Sequence, residues 1–99
     1  MRRGTAPVHT FTLPFDTKLV AKLRVNYAQM GTLLLTKTEK DAIMKGNSVQ
    51  VQLTQQETLR FRPDYVEIQL DVLSKDGTPF RSGIYRVGVE QVLNEEALV

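Results

Sequence analysis

The sequence predicts an all-β protein, an immunoglobulin-like β-sandwich of about seven strands with one short connecting helix near residues 55–61. Three observations carry this expectation. Apolar and polar residues alternate with a period of two in several runs, turn residues recur at roughly 8–12-residue spacing, and a single helix-start signal sits between two strand-like runs. A partly open barrel of the oligonucleotide-binding (OB-like) type has a similar strand count and one short helix, and is the alternative architecture.

Residues 8–13, VHTFTL, place His9, Phe11 and Leu13 on one face and threonines on the other, and Pro14 ends the run. After a turn at Asp16 and Thr17, LVAKLRVNYAQ alternates again. Leu19, Ala21, Leu23, Val25 and Tyr27 form the expected inner face, opposite Lys22, Arg24 and Asn26. Gly31 closes a hairpin into a third strand, TLLLTK. The weaker pattern that follows, with Lys37, Lys40, Asp41 and Lys45, suits a sheet edge, because lysines there discourage pairing with a foreign backbone. Gly46 and Asn47 turn the chain into SVQVQLT, where Val49, Val51 and Leu53 alternate with glutamines.

Thr54 followed three residues later by Glu57 is a capping box, so a helix is expected from Gln55. Pro63 disfavours helical geometry at Arg62 and limits it to about two turns, with Leu59 and Phe61 pinning it to the core. Beyond it, YVEIQLDVLS sets Val66, Ile68, Leu70 and Val72 against Glu67, Gln69 and Asp71, and Asp76–Gly77 marks a hairpin. The returning FRSGIYRVGVEQV changes phase: Phe80 and Ile84 fall on one register and Tyr85, Val87 and Val89 on the other, with a bulge expected at Gly83.

Ninety-nine residues suit one domain and one core, spanning 1–99. The net charge of +2 is too small to give the strong field that non-specific nucleic-acid binding needs. The charge is unevenly distributed, however. A basic N-terminal arm (1–7) carries Arg2 and Arg3, and an acidic C-terminal tail (94–99) carries Glu95 and Glu96. These four residues are the candidate interaction sites, since each end can dock on a neighbouring subunit of opposite sign. The start, MRRGTAPVHTFTLPF, lacks the apolar run of a signal peptide, and no window approaches the roughly 20 apolar residues of a membrane span. Secretion by that route and membrane anchoring are therefore not expected.

Catalytic signatures are absent from the sequence. One histidine and no cysteine exclude most metal-ligand sets and most histidine-based acid–base schemes, and His9 reads as a packed residue. The carboxylate pairs Asp71 with Asp76 and Glu95 with Glu96 read as a hairpin flank and a solvated tail. No phosphate loop, dinucleotide fingerprint or nucleophile elbow occurs. The expectation is a protein that is not an enzyme and takes no cofactor, metal or small-molecule substrate. For single-stranded nucleic acid the nearest constellation is Arg60, Arg62 and Tyr65, beside Phe61.

Two segments carry a resemblance. RRGTAPVHTFTLPFDTKLVAKLRVNYAQ and VQLTQQETLRF…VEIQLDVLSKDGTPFRSGIYRVGVEQVL together resemble small proteins, without an assigned role, from the structural-gene regions of prophages in Gram-positive gut bacteria. The second segment is also similar to the N-terminal β-sandwich domain of phage baseplate upper proteins, in which an L-T-x-x-[DE]-T corner precedes a strand and a D-G-T hairpin. Leu53, Thr54, Glu57, Thr58, Asp76, Gly77 and Thr78 match that pattern. The resemblance implies a non-enzymatic structural or assembly protein of a phage or prophage, located in the host cytoplasm during assembly and then in the tail, baseplate or head. Contacts with other phage structural proteins go with that role, and self-association is expected from the small core and the oppositely charged ends. Single-stranded nucleic-acid binding on an OB-type domain is the alternative function.

Overall fold

The computed structural model describes residues 1–98 and is built almost entirely from antiparallel strands. The strands are β1 (Val8–Thr12), β2 (Val20–Gln29), β3 (Thr32–Thr38), β4 (Ala42–Lys45), β5 (Ser48–Gln52), β6 (Tyr65–Ser74), β7 (Pro79–Arg81) and β8 (Tyr85–Gly88). They form a three-stranded sheet, β1-β5-β4, and a five-stranded sheet, β3-β2-β6, in which β7 and β8 follow one another along the far side of β6. The expected all-β sandwich with one short connecting helix is what the chain adopts. That helix, α1 (Gln55–Thr58), carries the chain from the small sheet to the large one.

The core lies between the sheets. Phe11, Leu13, Val49, Val51 and Leu53 from the small sheet and its extensions meet Leu23, Val25, Tyr27, Val66, Ile68, Leu70 and Val72 from the large one. These are the alternating apolar positions of the four strongest runs, because a pleated strand sends successive side chains to opposite faces. In β2 the inner face differs from the expected one at its start. Ala21 is exposed and Val20 is buried, because the register with β6 shifts between Val20 and Lys22 and the extra residue flips the phase. Leu19 falls outside the strand, in a 3₁₀ turn over Thr17–Leu19, and is exposed.

The β2–β3 hairpin has a two-residue loop, Met30 and Gly31, both at positive φ (51° and 78°). That is the geometry whose twist matches antiparallel strands. A second register shift, between Tyr27 and Ala28, places the extra residue on β3 at Leu34, so Leu33 is exposed and Leu35 buried. The weak, lysine-rich stretch resolves into a 3₁₀ turn over Glu39–Asp41 followed by β4, an edge strand as its charge suggested.

The capping box is present in full. Glu57 N–H donates to Thr54 Oγ1 (3.1 Å) and Thr54 N–H to Glu57 Oε1 (2.8 Å). The α-helix is a single turn rather than two, since the chain leaves helical geometry after Leu59 and must reach β6 across Pro63. Phe61 is fully buried as expected, whereas Leu59 is only half-buried and the fully buried residue of the helix is Thr58. The phase change in the last run is also real. β7 pairs Phe80 with Val72 and β8 pairs Tyr85 with Ile68, a slip of one residue absorbed at residues 82–84. Ser82 fills the break by accepting from Leu70 N–H through its Oγ (2.9 Å) and donating its own N–H to Leu70 O (2.9 Å).

Candidate interaction surface

The two charged ends of the chain meet each other. Residues 1–3 run alongside the segment after β8: Arg3 N–H donates to Glu90 O (3.1 Å) and Glu90 N–H to Met1 O (2.7 Å). Arg2 pairs with Glu90, and Arg3 pairs with Glu95 while donating to Leu59 O (2.9 Å). Arg3 is buried although Glu95 is exposed. Of the four candidate interaction residues, Arg2, Arg3 and Glu95 are thus engaged within the chain, and Glu96 is exposed with its N–H donating to Asn94 Oδ1 (2.9 Å). The expected docking of one chain's basic end on another's acidic end has an internal competitor.

Thr58 fixes the other part of this N-terminal segment. Its buried hydroxyl accepts from Gly4 N–H (3.0 Å) and lies within hydrogen-bonding distance of Thr5 O (2.9 Å) and Gln55 O (3.1 Å). Sequence reasoning placed Thr58 in the corner motif without assigning it this role. A hydroxyl has no apolar periodicity by which to be found.

Two polar pairs, Lys37 with Glu57 and His9 with Tyr27, lie in partly shielded surroundings. Lys37 Nζ lies 2.7 Å from Glu57 Oε2, with both side chains largely shielded. Burial alone would raise the Glu57 carboxyl, but the Lys37 ammonium and the Thr54 N–H reverse this and hold it below the ordinary carboxylate range. Tyr27 is fully buried against Phe61, and burial, together with the nearby Glu57 charge, pushes its phenol well above the usual value. Its hydroxyl shares a 2.8 Å hydrogen bond with His9 Nδ1, and burial holds His9 below its ordinary value. His9 is a packed residue bridging the sheets. No group of three or more His, Cys, Asp or Glu able to hold a metal occurs among the described residues.

On the outer face of the large sheet, Asp71 takes Arg24 (3.1 Å) and Asn26 (3.0 Å), with Arg81 at 3.6 Å. Asp76 serves the β6–β7 turn, accepting from Thr78 N–H (3.1 Å) and from the Ser74 hydroxyl, which together hold its carboxyl low. These two carboxylates are employed structurally and separately, as their places in the sequence suggested.

Arg60 and Arg62 are exposed on the connection between α1 and β6, and Tyr65 is exposed at the first position of β6. Gln29 clamps the connection, accepting from Arg62 N–H (2.8 Å) and donating to Arg62 O (2.9 Å). Tyr65 is 63% exposed, while Phe61 is buried and out of reach of any base.

The least protected surface is β1. Its Val8, His9, Thr10, Phe11 and Thr12 line one wall of an open groove of about 470 Å³, and Ile68, Tyr85 and Val87 line the other. Tyr85 stacks obliquely on Phe11 with ring centroids 5.7 Å apart. Hydrogen bonds from Leu53 N–H to Pro7 O (3.0 Å) and from Leu13 N–H to Asn47 O (2.8 Å) fix the phase of the β1–β5 ladder. Odd-numbered residues of β1 bond to β5, so the N–H and C=O groups of Val8, Thr10 and Thr12 face the open side. The sequence shows only that this strand, V-H-T-F-T between Pro7 and Pro14, carries no charged residue; its place at an edge comes from the strand order.

Comparison of the chain with protein-family models, with curated proteins and with solved structures found no match. No helix among the described residues is long and apolar enough to cross a membrane.

Proposed function

We propose that this chain is a non-enzymatic structural or assembly protein, of the phage or prophage kind its sequence resembles, working through protein–protein contact. One observation supports this reading above the others: β1 is an open sheet edge whose outward backbone groups have no partner among the described residues, beside an open groove of mixed polar and apolar lining. Such an edge is a template for another chain's backbone, and proteins that stay alone normally blunt it. Exposed Leu33, Ile43 and Ile84 add apolar surface on the sheet faces.

The test is light scattering on a size-exclusion column, together with co-purification against the products of neighbouring structural genes. A defined oligomer or a stable complex with one of those products is the expected result. A strict monomer that captures none of them overturns the reading.

A second reading, single-stranded nucleic-acid binding, draws support from the exposure of Tyr65 beside Arg60 and Arg62. It predicts salt-dependent binding of single-stranded DNA that is lost when Arg60→Ala is combined with Arg62→Ala. Binding that survives the double substitution removes this loop from consideration.

A further inference from the structure

We infer that β1 pairs with β1 of a second copy of this chain, antiparallel about a two-fold axis midway between the two Thr10 residues, joining two small sheets into one continuous sheet. The inference rests on the assembly reading above and specifies its surface.

Three of the sheet margins carry protection and one does not. β4 is four residues long and ends in Lys45. β3 carries Lys37 and a register shift at Leu34. The margin formed by β7 and β8 is interrupted at residues 82–84 and presents Arg81 and Arg86. β1 has no lysine, arginine, carboxylate, proline or bulge within Val8–Thr12. Each of the protecting features is a known means of preventing strand addition, so their absence from β1 alone marks it as the edge that pairs.

The occupant follows from self-complementarity. In an antiparallel pair centred on Thr10, the outward groups of Thr10 meet those of the partner's Thr10, and Val8 meets Thr12 at both ends. That phase joins all the free N–H and C=O groups of Val8, Thr10 and Thr12 in about six backbone hydrogen bonds. Apposed side chains on the outer face are then threonine with threonine and valine with threonine, which are favourable cross-strand neighbours. No charge meets a like charge within the strand, and a two-fold interface uses the same patch twice, so no second surface is needed.

The experiment uses the whole chain with Thr10→Lys and Thr10→Glu made separately. Thr10 is exposed and outside the core, and unfolding curves check that both variants fold. At the two-fold axis each variant sets like charges opposite each other. Each is expected to weaken the dimer by about tenfold or more, and an equimolar mixture to restore it as a heterodimer. Amide exchange on the wild-type chain gives an independent reading: Val8, Thr10 and Thr12 become protected as concentration rises.

A wild-type oligomer unaffected by both substitutions overturns this inference and leaves the assembly reading standing. Variants that weaken association without recovery in the mixture overturn the Thr10-centred pairing. A wild-type monomer at millimolar concentration, with those amides unprotected, overturns the inference. The assembly reading then stands or falls on capture of a neighbouring gene product.

Discussion

Glu57 joins two functions in one side chain, so its removal tests how the helix corner is held. Glu57→Ala deletes the acceptor for Thr54 N–H and leaves Lys37, whose side chain is 12% exposed, without its carboxylate. The lost cap is worth about 1 kcal/mol and a shielded cation without its partner about 1–3 kcal/mol, so the total is about 2–4 kcal/mol. For a chain of this size that lowers the melting temperature by roughly 10–30 °C. Glu57→Gln keeps an oxygen for the cap but not the charge, and is expected to cost about half as much. Adding Lys37→Met to Glu57→Gln removes the lone cation and recovers part of the loss, a coupling of about 1 kcal/mol or more in a double-mutant cycle. Because the folded carboxyl is held below 4.5, its ordinary value, the contribution is complete above that pH and disappears as pH falls through the folded value. Chemical and thermal unfolding from neutral pH into acid measure all of this. If Glu57→Ala stays within about 0.5 kcal/mol of wild type, or its deficit persists undiminished in strong acid, the pair is not what holds the corner.

Two further outcomes follow from the same structure. Met30 sits at φ 51° in the two-residue hairpin and is 82% exposed, so Met30→Asn, which tolerates that backbone, is expected to raise stability by about 0.5–1 kcal/mol; an unchanged or lower melting temperature contradicts it. His9 is held neutral by burial, so the unfolded chain takes up a proton first and stability, complete above 6.5, declines as pH falls from that value toward the lower folded one. His9→Gln should flatten this step in a melting series across mild acid, and a series with the same slope in both proteins refutes the assignment.

Much of the sandwich was legible because its chemistry is local. Alternation in SVQVQL and YVEIQLDV needs only the pleat and a buried side. The capping box at Thr54 and Glu57 needs only residues three apart, and the turn at Asp76 and Gly77 only two neighbours. The phase change near Gly83 was visible for the same reason: a one-residue slip leaves a trace in the apolar pattern. Less was legible where partners are distant in sequence. Ala21 was expected inside and lies outside, because the bulge at that point is set by the register with β6, about fifty residues away. The Lys37–Glu57 pair and the hydroxyl of Thr58 against Gly4 belong to no motif, since they exist only once the strands are in place.

The candidate surface divides along the same line. Sequence alone determined that the two ends differ in charge and that Arg60, Arg62 and Tyr65 share one short stretch. It also set an uncharged strand between two prolines. Only the tertiary structure decided that Arg3 is buried against Glu95, that Phe61 points inward while Tyr65 points out, and that β1 lies at a margin. The physical reason is that composition and period state what a segment can bury or pair. Which of its groups remain free depends on strand order, and strand order is settled by contacts between residues far apart in the chain.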